Sequence, residues 1–453
     1  MRINILFCFF KKLNFILIHE YKLMEALSCC KECINRNDTA YSAKHNHINC
    51  LKYLYKIGCP WHPGTTYRAA EKGNLECMKY AHENGCPWNQ HTISETAYYG
   101  HLDCLKYAHQ NGCPLDPNVI LSAACTGHLD CIKYAYENGC PWNQYTACWA
   151  ATRGDIDCLK YAHENGCPWD AYTMYCAAGN GHLECLKYSH ENGCPWDAYT
   201  TYGAAGNGHL DCLIYAHENG FPWHPYTTRH AAENGHLDCV KYSHENGCPW
   251  DFYTTYLAAE NGDLSILKYD HLNGCPWDKE TTSRAARRSN IECMKYAHEN
   301  GCPWVGYTTY WAAKNGDINC LKYAYENGCP WDDGTTNTAA ENAHLECLIY
   351  AHENGCHWDP YTTYYAAKNG HLECLIYAHE NGCPWHPKTA KAAIKSGNLE
   401  CLKYIYFNCQ SIISPKDNAL ILPYVNKWKE SVDAAFADKY IPSDIKNIIY
   451  TLW

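Results

Sequence analysis

Nothing in this 453-residue chain reads as a β-strand, because alternating runs of β-branched and aromatic residues bounded by turn residues are missing throughout. Sheet-based folds are excluded on that ground. Catalytic signatures are missing too. There is no glycine-rich loop to cradle a phosphate and no nucleophile elbow. The recurring His-Glu-Asn-Gly-Cys run is not a metalloprotease spacing, since the fourth residue after His82 or His352 is Cys rather than His. Long apolar runs are absent as well. The nearest approach, residues 1–23, is split by Lys11-Lys12, too interrupted to span a membrane and without a signal cleavage site. Positive charge is scarce: the net charge is −11 and Lys and Arg are spread thinly, so no basic stripe forms and nucleic acid is not an expected partner.

What is present is repetition. The tetrad Gly-Cys-Pro-Trp recurs with its cysteine at Cys59, Cys86, Cys140 and onward to Cys383, always at a multiple of 27 residues. The period runs without insertion or linker from Cys50 to Cys401, about 14 copies of one unit. A fixed period means a supersecondary element copied and stacked through contacts with its neighbours.

The copy from Asp251 to Trp277 shows what the unit is. Tyr253, Tyr256, Leu257, Ala258 and Ala259 recur at helical offsets, Asn261-Gly262-Asp263 breaks the pattern, and a second apolar face runs Leu264, Leu267, Tyr269, His271. Two short helices and two turns follow. Gly262 ends the first helix in a left-handed conformation, and Asp263 caps the second, as Asp155, Asp317, Asn74 and Asn290 are expected to do in other copies. Asn273-Gly274 ends the second helix and Pro276 cannot continue it. Ordering 27 residues costs roughly 40 kcal/mol at about 1.5 kcal/mol per residue, and helices of about ten residues are marginal alone, so one copy cannot fold by itself. Stacking must bury Ala258, Ala259, Leu264, Leu267 and a Trp such as Trp250.

These residues resemble the ankyrin repeat. The run Ala231-Ala232-Glu233-Asn234-Gly235-His236-Leu237-Asp238-Cys239 matches that family's helix pair. In this resemblance Cys239 and Val240 take its paired valine slots, Tyr242 a leucine slot, Cys248 the small residue after Gly, and Trp250 the valine that plugs the loop. Ankyrin repeats have about 33 residues, and the six missing here fall where the family builds its β-hairpin finger, so the finger is expected to be lost. This short form resembles ankyrin-like proteins encoded by giant DNA viruses of amoebae and by some protists, over Asn37 to Cys409. The resemblance implies an all-α, elongated solenoid of stacked helix-turn-helix repeats lacking the finger. It also implies recognition of another protein, without catalysis or cofactor.

Comparison of the copies within the chain locates a candidate surface. The framework barely changes, whereas the slots two, seven and ten residues after the Trp vary freely. The last two are i and i+3 on the first helix and share a face, expected to be the concave one. They supply Arg68, Glu95, Trp149, His230, Arg284, Arg287, Trp311, Lys314, Tyr365 and Lys368 as candidate partner-binding residues. Arg284, Arg287 and Arg288 read as a local basic cluster facing solvent.

Most of the 33 cysteines fall in two repeating slots with a His between them, as in Cys77, His82 and Cys86. That spacing invites a zinc reading, but five helical residues turn His82 about 140° away from Cys77. Substitution is uncoordinated as well, with Phe221 and Ile266 each replacing a single Cys and Tyr136 and Tyr325 replacing the His. The slots read as buried and apolar, with reduced thiols, no metal and a cytoplasmic setting.

The ends depart from the array. Residues 1–23 read as an extension ahead of Met24, membrane-associating if retained; residues 24–410 as the solenoid, with 24–37 as its N-terminal cap; and 411–453 as a helical cap using Leu420, Leu422, Val425 and Trp428. The run Tyr440 to Ile449 is faintly similar to the opening of F-box-like segments, which suggests an adaptor for a cullin-type ubiquitin ligase as a second reading and a structural spacer as a third. A monomer is expected.

Overall fold

Each copy folds as its local signals require. In the computed structural model, residues 31–89, 91–409 and 413–435 are described; the expectations for residues 1–23 and for Tyr440 to Ile449 lie outside them. All regular structure among the described residues is helical, with no strand. In the copy read above, Asp251 caps the helix Phe252–Asn261 by accepting from the Tyr253 N–H, and Gly262 ends it at φ 80°. Asp263 then caps Leu264–Leu272 by accepting from Ser265 and Ile266. Asn273 folds its side-chain amide back to donate to the Tyr269 carbonyl at 2.8 Å, and Gly274 follows at φ 84°. The Cys275 N–H closes the end by donating to the Asp270 carbonyl at 2.9 Å.

The chain divides into two units, one ending at Thr227 and the other beginning at Thr228. Within each, hairpins stack so that first helices pack on first helices and second on second. In the first unit, Thr146–Arg153, Ala171–Gly179 and Tyr199–Gly206 form one such row of first helices; in the second unit, Thr335–Glu341, Tyr361–Asn369 and Thr389–Ser396 form another. The Ala pairs make this possible: Ala150, Ala151, Ala258 and Ala259 are fully buried where helices approach most closely. Cys158, Leu159, Ile266 and Leu267 supply the same function from the second helices.

A hydroxyl ladder joins the copies and was not legible in the sequence. The paired threonines that open most first helices are buried, and in several copies their hydroxyls meet those of the next: Thr39 with Thr65 at 2.8 Å, Thr309 with Thr335 at 3.2 Å, Thr363 with Thr389 at 3.2 Å. Among the described residues the hydroxyls of Thr200, Thr227, Thr228, Thr254 and Thr281 have no partner, so the ladder helps hold the stacking register only where it forms.

Three expectations are corrected. Asn74 and Asn290 do not cap their own helices; each amide reaches back to the previous first helix, Asn74 donating to the Ala43 carbonyl at 2.8 Å and Asn290 to that of Glu260 at 2.8 Å. The helix Pro415–Ala435 does pack on Thr389–Ser396 and Leu399–Asn408, but it buries Ile421 and Val425 while Leu420 and Leu422 stay exposed, because only the i, i+4 pair faces the array. The tryptophans are half-buried rather than core, for a reason that lies in the second-helix side chains.

Candidate functional site

The repeated cysteines are accounted for by packing. Cys77, Cys104, Cys131 and Cys86 are 2 % exposed or less, and Phe221 and Ile266 fill the same slots just as completely. Burial pushes the Cys104 thiol up to about 12 and that of Cys131 to about 11, so both stay protonated at neutral pH. The repeated His serves an aromatic ladder between second helices. His82 stacks on Trp88 with ring centroids 4.2 Å apart, and its Nδ1 lies 3.3 Å from the Tyr107 hydroxyl of the next copy. His244 repeats this with Trp250 at 3.7 Å and Tyr269 at 3.1 Å. Tyr136 and Tyr325 preserve the stack, on Trp142 and Trp331. The indole N–H of Trp88 meanwhile donates to the Asn111 carbonyl at 3.0 Å, and that of Trp304 to the Asn327 carbonyl at 2.9 Å. A Trp tied at its edge to the next helix end and stacked on its own His is held at the surface, which is why it is only half-buried.

The variable slots lie on the first helices, as a seam between neighbours more than as a free face. Thr338 and Cys176, both in the seventh-residue slot, are buried, and Gly203 in the same slot sits under Tyr175, where a Cβ would come within 2.7 Å of the ring. In the first unit, Arg68 donates to Glu71 at 2.7 Å, while Lys72 and Lys44 approach the same carboxylate at 3.1 and 4.0 Å. Burial pushes the Glu71 carboxyl up, but the hydrogen bonds from Arg68 and Lys72 outweigh it and hold the group below its usual range. Glu95 goes the other way, raised by burial and by the charge of Glu71. Trp149 stands 43 % exposed.

In the second unit, the structure brings Arg284, Arg287, Trp311 and Lys314 together. Arg284, Arg287 and Arg288 converge on Glu260 at 3.9, 3.6 and 3.8 Å, and Arg284 also pairs with Glu280 at 3.1 Å. The Arg287 guanidinium and the Lys314 ammonium lie over the Trp311 ring at 4.9 and 4.8 Å. Tyr365 and Lys368 form a separate pair at 5.4 Å. His230 is half-buried on Thr227–Glu233.

The most exposed aromatic residues are ones the comparison of variable slots passed over. Three residues after the Trp, many copies place a Tyr at the start of the first helix: Tyr145, Tyr172, Tyr199 and Tyr226 in the first unit are each at least 50 % exposed, as is Tyr307 in the second. Recurrence marked this slot as framework, yet its rings stay about half exposed among the described residues. The exposed rings are not isolated in the first unit, where Tyr199, His224 and Tyr226 follow one another at 4.9 and 5.5 Å. Tyr172, Tyr175 and Tyr199, with Ala171 and Asp197, line an open cleft of about 290 Å³. One step away, the buried Cys148 and Cys176 sulfurs lie 2.9 Å apart; the hydrogen bond between them lowers the Cys176 thiol and raises that of Cys148.

Fold and surface together define an all-helical repeat protein of stacked hairpins, a class that typically serves as a binding scaffold. Residues 147–188 match the family model described as ankyrin repeats (many copies), in agreement with the helix pairs seen here. No curated protein matches the chain. Among solved structures, the pentatricopeptide repeat protein PPR10 in complex with an 18-nucleotide psaJ RNA element is similar at a TM-score of 0.37 and 12% identity, over 90% of this chain and 82% of that one. PPR10 from maize is similar at 0.31 and 14% identity, over 90% and 79%. PPR10 is bound to RNA in two of the similar structures, so the expectation of no nucleic-acid partner is withdrawn. Likeness at this level carries no argument about what this chain itself binds. None of the described helices is long and apolar enough to cross a membrane.

Proposed function

We propose that the chain is a non-catalytic scaffold of short, 27-residue ankyrin-like repeats that binds a protein partner through the tyrosine row of its first helices. The single observation that carries this reading is the set of tyrosines at least half exposed at 27-residue spacing, Tyr145, Tyr172, Tyr199 and Tyr226. Large, rigid rings with a polar tip give contact area at little conformational cost, and they are enriched at protein interfaces. Charges of both signs stand on or at the start of first helices in each unit, Arg68 with Glu71 and Glu95 in the first and Arg284 with Glu260 and Glu280 in the second. Such an arrangement suits a partner surface of mixed charge. The proposed setting is a reducing, cytoplasmic compartment, supported by thiols that occupy slots Phe221 and Ile266 also fill.

The test is affinity capture from the cell of origin with the native sequence and with Tyr145, Tyr172, Tyr199 and Tyr226 all changed to Ala, each with and without nuclease. A protein held stoichiometrically, resistant to nuclease and lost from the variant supports the reading. Loss on nuclease treatment would replace it with a nucleic-acid scaffold. Capture that ignores the four substitutions would leave the repeats as a spacer or move the interface elsewhere.

A further inference from the structure

The His-x-x-Cys pair at the start of the second helix recurs along the chain, as His101 and Cys104, His182 and Cys185, His209 and Cys212. In these later copies the histidine is committed to packing. A Cβ on Gly154 would fall 2.3 Å from His182 Nδ1, and His182 Nε2 lies 3.0 Å from the Thr152 carbonyl of the previous copy. His371 makes the equivalent contact with the Glu341 carbonyl at 3.0 Å. The first copy, His47 and Cys50, is built differently. Here Nδ1 of His47 faces the sulfur of Cys33, 3.1 Å away on the helix Lys31–Arg36. Cys33 is fully buried and Cys50 nearly so, with Tyr41 and Tyr53 packed over them. Among the described residues, Cys33, His47 and Cys50 are the one group of three His, Cys, Asp or Glu side chains whose ligand atoms all lie within 4.8 Å of one another.

We propose that Cys33, His47 and Cys50 bind a zinc ion that clamps the N-terminal helix to the first repeat. Two thiolates and an imidazole are a borderline-soft set that selects zinc over magnesium or calcium. Zn–S bonds of about 2.3 Å and a Zn–N bond of about 2.0 Å in a tetrahedron put sulfur and nitrogen roughly 3.5 Å apart and the two sulfurs roughly 3.8 Å apart. Both separations fall inside the observed cluster, whose ligand atoms all lie within 4.8 Å of one another. Binding releases the two thiol protons and leaves a neutral centre, a charge balance that a buried site can hold. His47 and Cys50 come from one helical turn at the start of Ile48–Lys56 and Cys33 from the helix Lys31–Arg36, so the ion joins two elements.

The experiment is metal analysis of the full chain, purified without chelator or affinity metal and dialysed, beside three variants: Cys33→Ser with Cys50→Ser, His47→Asn, and His182→Asn as a packing control. About one zinc per chain is expected in the native sequence and in the control, with loss in the other two. Cobalt added to the apo protein should give sulfur-to-metal charge-transfer absorption that zinc abolishes, a readout independent of whether a variant folds well. No metal after dialysis, no thiolate band with cobalt, undiminished zinc in the double cysteine variant, or several ions per chain would each overturn the proposal.

Discussion

Replacing Asp270 with alanine, the residue that Ala297, Ala324 and Ala351 supply in the following copies, should stabilise the second unit in a manner that depends on pH. Asp270 is fully buried in the helix Leu264–Leu272, and neither carboxylate oxygen has a hydrogen-bond partner among the described residues. Burial, helped by the charge of Asp263, pushes the carboxyl up from 3.8 to about 8. The folded-state value therefore lies above the unfolded one. Below about pH 4 both states hold the proton and the group adds no pH dependence. Between about pH 4 and 8 only the unfolded chain has lost it, so stability falls by about 1.4 kcal/mol per pH unit, and above about 8 the loss levels off. The accumulated penalty at pH 7 is about 4 kcal/mol, against about 1 to 2 kcal/mol at pH 5. Because repeats are stabilised mainly by their neighbours, the effect should centre on this copy. Urea unfolding followed by tryptophan fluorescence, with amide exchange read on Leu264–Leu272, should show the two proteins converging toward pH 4 and separating by pH 7. A difference of constant size from pH 5 to pH 8 would refute the claim that Asp270 is held protonated.

Ala343 sits at φ 65°, in the turn slot that is glycine in most copies, so Ala343→Gly should stabilise the second unit by about 1 kcal/mol, read as a shift in urea midpoint at unchanged slope. Thr309 donates to the Gly306 or Pro330 carbonyl, at 2.9 and 3.4 Å, and meets the Thr335 hydroxyl at 3.2 Å. Thr309→Val should therefore cost about 1 to 3 kcal/mol, whereas the surface change Lys279→Ala should leave the melt within about 0.5 kcal/mol. Alkylation of the native chain at neutral pH, mapped by mass spectrometry over residues 31–89, 91–409 and 413–435, should be confined to the partly exposed Cys59 and Cys125 while the buried thiols react only after unfolding.

Much of the local structure follows from residue order alone. Gly262, Gly274 and the Asp caps act within a few residues of themselves, so short-range sterics and hydrogen bonds specify both turns of the hairpin and its helix lengths. The burial of the cysteine slots was legible for a related reason, since Phe221 and Ile266 report the same apolar environment without reference to any neighbour. Asn74 and Asn290 mark the limit of that reasoning: local rules make them caps, while the end of the previous first helix offers a pair of carbonyls that they reach instead.

The candidate surfaces divide along the same line. Variation between copies pointed to the first helices, but whether a variable residue faces solvent or a neighbour depends on the side chain one repeat away, as Gly203 under Tyr175 and Arg287 over Trp311 show. The tyrosine row escaped notice because repetition in sequence looks the same for a buried residue and an exposed one; burial is a property of the stack. The sequence by itself therefore determined a helical hairpin with a fixed period and the apolar slots that make it stack. Only the tertiary structure decided that His82 serves an aromatic ladder, that the Asp270 carboxylate has no hydrogen-bond partner among the described residues, and that His47 turns toward Cys33, because each depends on groups far apart along the chain that only packing brings within a few ångströms.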